Sequence, residues 1–355
     1  MKLSSAFLKS AAIIFLSAAI FSAPPCGAAA PQGGASLSAA KNSYNYLRIF
    51  YYREGKNARA SLFAHYDSID VLAPQSYSLN GYGKLYGRIK PNVLLFAKNR
   101  NIKIMPLVTN GNFSRSYRTL LDNPAYQDTA IAALVNEGKK KNYWGWQFDF
   151  EQMDASYRDK FSEFIKRAAD TFKKNNLVLS VAVIAQTSSD PNDYPNNLWQ
   201  KIVGVYDYAS LARNADFISL MSYDDPYSTG PVVRYEWLKS AVDYALKYIP
   251  NEKLSMGVPL YYWQWNDQTG ARVGIGGRQG IYNVFKNHKV SVNYDNNLEA
   301  AFLTYWHRSK QYTIWYENAA SMAKKIELVV NNKLHGFSAW ALGLELPSVY
   351  RAFEK

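Results

Sequence analysis

Trp144-Gly145-Trp146-Gln147-Phe148-Asp149-Phe150-Glu151 is the stretch on which the fold of this chain turns. Along a strand, successive side chains point to opposite faces. Trp146, Phe148 and Phe150 therefore share one face, and Gln147, Asp149 and Glu151 share the other. The aromatic face suits packing against a layer of helices. In a barrel the polar face then points inward, where an ionised group is costly without a partner or a task. Asp and Glu are also poor strand formers, so their place at the end of this run asks for a reason. Read by itself, the run fits an antiparallel strand with one wet face equally well.

Short buried-type runs recur on both sides of it, at 47–52, 69–73, 104–109, 146–150, 178–183, 217–222, 254–259 and 336–340. Helical spacing lies between them. Phe161, Phe164, Ile165, Ala168 and Phe172 form one stripe; Leu238, Ala241, Val242, Ala245 and Ile249 form another, which Pro250 stops. Met322, Ile326, Val329 and Val330 form a third. All three read as core faces. Eight such runs alternating with helices predict an α/β fold, a (β/α)8 TIM barrel rather than an open doubly wound sheet. No GxGxxG opens a helix after the first strand, so a dinucleotide site has no support. The glycine-rich segment at about 264–313 is long for a βα connection and reads as a small insertion on the rim between the seventh and eighth strands.

Composition narrows the class. With 48% hydrophobic residues, 28 Tyr, 17 Phe and 9 Trp, the chain must bury a large core, which excludes disorder. The single cysteine, Cys26, excludes a disulfide scaffold. Lys2 and Lys9 precede an apolar run at 11–23, followed by small residues at 27–30. Residues 1–29 therefore read as a cleaved signal peptide, 30–45 as a linker and 46–355 as the barrel. This predicts export to a periplasmic, cell-wall-associated or extracellular location, with no stable membrane insertion after cleavage. Of the +13 formal charge, Lys2 and Lys9 supply two, leaving +11 on the mature chain. A basic exported protein favours anionic polymers or headgroups. Nucleic acid is disfavoured, because Lys139-Lys140-Lys141 is the longest basic run. His65, His288, His307 and His335 lack ligand spacing, so no metal and no cofactor is expected.

The chemistry centres on Asp149 and Glu151, whose backbones lie ~6.5–7 Å apart on a strand. Two neighbouring carboxylates cannot easily both ionise, so the pKa of one rises. A carboxylic acid that keeps its proton near neutral pH is the general acid that glycosidic cleavage needs.

Gly145-x-x-x-Asp149-x-Glu151 resembles the catalytic strand of glycoside hydrolase family 18, whose pattern is Asp-Gly-x-Asp-x-Asp-x-Glu. Met221-Ser222-Tyr223-Asp224 is similar to that family's sixth-strand Met-x-Tyr-Asp, and Gly257-Val258-Pro259-Leu260-Tyr261 to its seventh-strand Gly-x-Pro-x-Tyr. Gly336-Phe337-Ser338-Ala339-Trp340 resembles the eighth strand, which ends in the tryptophan that floors the sugar site. The four elements keep the family's order. Residues 234–265 and 314–317 look closest to the spore-germination and cortex-lytic N-acetylglucosaminidase branch. Relatives there often carry LysM wall-binding repeats, which this chain lacks.

The resemblance implies a substrate-assisted retaining mechanism, in which the sugar's own 2-acetamido oxygen attacks the anomeric carbon. It implies that Glu151 protonates the leaving oxygen and then activates water, and that Asp149 orients the acetamido N–H. Tyr223 would bond the acetamido oxygen, with Asp224 supporting that region and Trp340 stacking beneath the sugar. Met221, Tyr261, Gln147, Gln75, Tyr77 and Asn110 complete the expected substrate-binding set. Two positions depart from the pattern: Trp144 replaces its first Asp and Gln147 its middle one. Gln147 can hydrogen-bond Asp149 but cannot share a charge with it. The implied function is cleavage of β-1,4 bonds in an N-acetylglucosamine-containing glycan by a monomer, with peptidoglycan first. Chitin or an N-glycan core is the alternative in the same chemistry. A non-catalytic glycan-binding barrel is the alternative in another class.

Overall fold

The computed structural model describes residues 44–111 and 116–354. The signal peptide and most of the linker read from the sequence lie outside these residues.

Eight parallel strands line the centre. They are β1 (Leu47–Tyr52), β2 (Val71–Leu79), β3 (Leu107–Thr109), β4 (Gly145–Asp149), β5 (Val178–Ile184), β6 (Phe217–Met221), β7 (Leu254–Pro259) and β8 (Gly336–Trp340). Each pairs with its successor, and β8 pairs with β1, so the sheet closes on itself. Closure leaves the barrel without exposed edges. A short segment, Lys103–Ile104, leads into β3; Pro106 interrupts it, because proline has no N–H for the ladder.

Alternation sorts each strand between two cores. Outward residues such as Trp146, Phe148 and Phe150 meet Phe161, Phe164 and Phe172 of the helix Arg158–Lys174. The helices Tyr235–Ala245 and Ala319–Asn331 carry the other two predicted stripes. Inward residues Ile49, Tyr51, Val71, Ala73, Met105, Leu107 and Phe217 fill the barrel. The carboxyl pair sits above this apolar plug, at the C-terminal ends of the strands, where βα loops shape a cleft.

Between β7 and β8 stands a five-stranded antiparallel sheet, ordered Ala271–Gly276, Tyr262–Asn266, Lys310–Tyr316, Ala300–His307, Val290–Asp295. The helix Arg278–Asn287 packs on one face of it through Ile281. Two differences from the sequence reading concern β2. It continues to Leu79, because its end pairs with the antiparallel segment Leu85–Gly87. Its register against β3 also shifts between Gln75 and Tyr77.

Candidate active site

Asp149 is the last residue of β4 and is buried; Glu151 follows two residues later, half-buried at the strand mouth. Asn110, buried just beyond β3, fixes the backbone of Glu151. Its Nδ2 donates to the Glu151 carbonyl at 2.8 Å, and the Glu151 N–H donates to its Oδ1 at 3.3 Å. From the other side the Tyr206 hydroxyl donates to the Phe150 carbonyl at 2.7 Å. Gln152, next in sequence, takes φ 54, which turns the chain away directly after the acid.

The two carboxyls act on each other directly, so they resist ionising together. Burial raises Glu151 most, and the charges of Asp149 and, more weakly, Asp224 push it the same way. Burial also raises Asp149, opposed by its bond to Glu151. Glu151, nearer the opening and under more negative charge, is the member that holds the proton.

Beneath the pair lies a polar layer. Gln147 Nε2 donates to Ser180 Oγ at 2.9 Å and Ser219 Oγ at 2.8 Å. Ser219 and Ser255 each share a hydrogen bond with Ser338, at 2.9 and 2.7 Å. The expected bond from Gln147 to Asp149 does not form: the amide N–H groups are spent on serines. The Gln147 carbonyl oxygen has no hydrogen-bond partner among the described residues. Gln147 therefore supports the floor from below and does not line the cleft.

Met221 and Tyr223 follow Ser219 on the inward side of β6. The Tyr223 ring fits against Gly257, where an added Cβ would come within 3.0 Å of it and 2.4 Å of the Leu220 carbonyl. Asp224 has φ 58, a conformation that costs a non-glycine residue energy. There its carboxylate accepts from the Tyr261 hydroxyl at 2.6 Å. The surrounding protein raises Asp224, against the pull of Tyr261 and Arg272. Trp340 ends β8 with its ring 5.2 Å from that of Tyr51, and packs beside Tyr261 and Trp263.

Gln75 is half-buried on the inward parity of Val71 and Ala73. Tyr77 is not a cleft residue, which corrects the sequence reading. Alternation from Gln75 would turn it inward, but the register shift at Ser76 turns it outward. It packs against Tyr143 and Trp146, and its hydroxyl donates to Glu137 at 3.0 Å. Sequence reasoning also missed the serine layer, Tyr206 and Arg272. Serines at inward positions of otherwise apolar strands were a usable signal. Arg272 was not legible, since it reaches the cleft from the rim sheet, stacking 4.1 Å over Trp263.

A protonated acid, a second carboxyl beside it, a tyrosine hydroxyl and an aromatic floor can together bind a sugar and protonate its glycosidic oxygen. The family model for glycosyl hydrolases family 18 matches residues 48–345. The chain belongs to glycoside hydrolase family 18, and is a glycosidase. Among its family 18 relatives is a cortical fragment-lytic enzyme of Bacillus subtilis, 27% identical over 292 residues, covering 79% of this chain and 66% of the relative. Solved family 18 structures agree on the barrel. A chitinase from Chromobacterium violaceum superposes with a TM-score of 0.77 at 26% identity, covering 87% of this chain and 98% of the chitinase. The spore cortex-lytic enzyme SleL of Bacillus megaterium gives 0.78 at 24% identity, covering 88% and 74%.

Proposed function

We propose that this family 18 glycosidase is exported and cleaves β-1,4 bonds of peptidoglycan by a substrate-assisted, retaining mechanism. The observation that carries the reading is the Asp149–Glu151 pair at the mouth of β4, Asp149 buried and Glu151 half-buried, in which Glu151 is raised by burial and by two acidic neighbours. The sugar stacks on Trp340, its apolar C–H face against the indole. Glu151 donates its proton to the glycosidic oxygen as that bond breaks. The acetamido oxygen of the same sugar attacks the anomeric carbon from the opposite side, giving a cyclic oxazolinium ion. Asp149, relieved of the shared proton, accepts from the acetamido N–H and offsets the growing positive charge. Glu151, now ionised, takes a proton from water, which opens the ring at the anomeric carbon with net retention. Asn110 and Tyr206 hold the backbone on either side of the acid, so it need not reorganise between steps.

Peptidoglycan is favoured because the cortical fragment-lytic relative matches over most of this chain, and because a basic protein suits an anionic wall. The test is mass spectrometry of products from purified peptidoglycan and, separately, from chitin oligosaccharides, with wild type and Glu151→Gln. New reducing ends of retained configuration are expected from peptidoglycan, with the variant slower by at least about a thousandfold. Cleavage confined to chitin would overturn the substrate while leaving the chemistry. Unchanged turnover by the variant, or equal cleavage of glycans without N-acyl groups, would overturn the mechanism.

A further inference from the structure

The carboxyl pair occupies one end of the barrel; the other end, the base, is made of strand N-termini and helix C-termini. Three consecutive turns at the base enter β3, β4 and β5. The first holds Lys98, Arg100 and Lys103, the second the run Lys139–Lys140–Lys141, and the third Lys173 and Lys174. All are exposed, and residues 98–103, 139–144 and 173–177 include no Asp or Glu. None of these cations enters an ion pair among the described residues; those pairs involve other side chains, such as Arg48 with Asp70. The strands they lead into are hydrogen-bonded neighbours, so the three cationic turns adjoin on the base.

A lysine at a helix C-terminus is expected from the macrodipole. Three in a row, flanked by further cations on both sides, go beyond what one helix end rewards, because like charges repel. Aromatic rings stand among them. The Lys103 ammonium lies 4.5 Å above the half-buried ring of Trp144, and the Arg100 guanidinium 4.4 Å above that of Tyr66. Beside these is a depression of about 370 Å³ whose lining includes Arg48, Arg100 and Lys103 together with Asp67 and Asp70. The chain also enters the barrel here: the Tyr44 hydroxyl donates to the Leu334 carbonyl, and the Leu47 N–H to that of His335.

We propose that the base is a docking surface for the anionic headgroup plane of a phospholipid bilayer, on which the glycosidase sits with its cleft turned away from the membrane. A plane can meet three adjoining turns at once, whereas a linear polymer would follow one line of cations. Lysines interleaved with Trp and Tyr are also the composition of a membrane–water boundary, where amphipathic rings sit at headgroup level. This holds whichever glycan the cleft takes.

The test is co-sedimentation of the mature chain, residues 30–355, with vesicles of mixed phosphatidylglycerol and phosphatidylcholine, and with phosphatidylcholine alone, across a salt series. The comparison variant carries Lys139→Gln, Lys140→Gln, Lys141→Gln, Lys173→Gln and Lys174→Gln. Wild type is expected to bind the anionic vesicles and to release with salt. The variant should partition at least about 100-fold more weakly while cleaving soluble oligosaccharide at the wild-type rate. Equal binding of the variant would overturn the proposal. So would salt-insensitive binding to neutral vesicles, which would assign attachment to apolar contact. Tighter binding to soluble linear polyphosphate than to vesicles would overturn it in favour of a chain-like polyanion.

Discussion

Glu151 and Asp149 are held in a setting that resists ionisation, and this has a consequence for stability. Burial raises both carboxyls, so between their unfolded and folded pKa values the native state binds more protons than the unfolded chain. Stability from such a group is fully present below its unfolded pKa and is lost as pH rises through the folded one. The thermal midpoint of wild type should therefore fall between pH 5 and pH 9 more than that of Glu151→Gln, whose carboxamide never ionises. Parallel profiles, measured by calorimetry in matched buffers, would mean that the acid is not desolvated. The pair itself was legible in the sequence, because alternation along one strand and the rarity of carboxylates in strands both mark it. Tyr77 was expected in the cleft from the resemblance, and alternation from Gln75 would not have corrected it. Alternation assumes an unbroken register, and the extra residue at Ser76 leaves no mark in composition. Gln147 was given the right face of its strand but the wrong role and partner, since it lies below the cleft and its serines come from two other strands, 33 and 72 residues away in sequence.

At the scale of elements, the rim sheet shows what local patterning misses. Its glycines and short apolar runs announced an insertion, but five strands joined in the order observed depend on pairings across some 50 residues of chain. One anchor fixes it to the barrel. Glu317, just after the strand Lys310–Tyr316, accepts from Lys325 Nζ at 2.9 Å and from Ser321 Oγ at 2.6 Å. Both hydrogen-bond donors lie on the helix Ala319–Asn331, which leads to β8 and Trp340, and the ion pair is almost wholly buried. Such a pair contributes little over a well-packed apolar pair, yet removing one partner strands a buried charge. Lys325→Met alone should cost about 3–5 kcal/mol in urea unfolding, and adding Glu317→Gln should recover much of that. A loss under about 1 kcal/mol for the single variant would show that water reaches Glu317, and that the sheet is not pinned there.

At the scale of the whole molecule, the fold depends on joining its first strand to its last. β1 pairs with β8 over four residues, from Leu47 with Gly336 to Phe50 with Ala339, and this closes a sheet begun nearly 300 residues earlier. The seam is covered from outside by the C-terminal 3-10 segment Pro347–Phe353. Phe353 is fully buried there, with its ring 5.6 Å from Phe50 of β1 and 4.7 Å from Phe337 of β8. It thus touches both strands of the closing pair. Because an open barrel would expose the edges of both strands, loss of this cover should weaken the molecule as a unit and not fray one end. Phe353→Ala removes a buried aromatic ring and leaves a cavity, at a cost of about 3–5 kcal/mol. The expected result is a lower thermal midpoint, by about 5–10 °C, with secondary structure and tryptophan fluorescence lost together. A midpoint unmoved would mean that the seam holds without its cover, and two separated transitions that one end frays by itself.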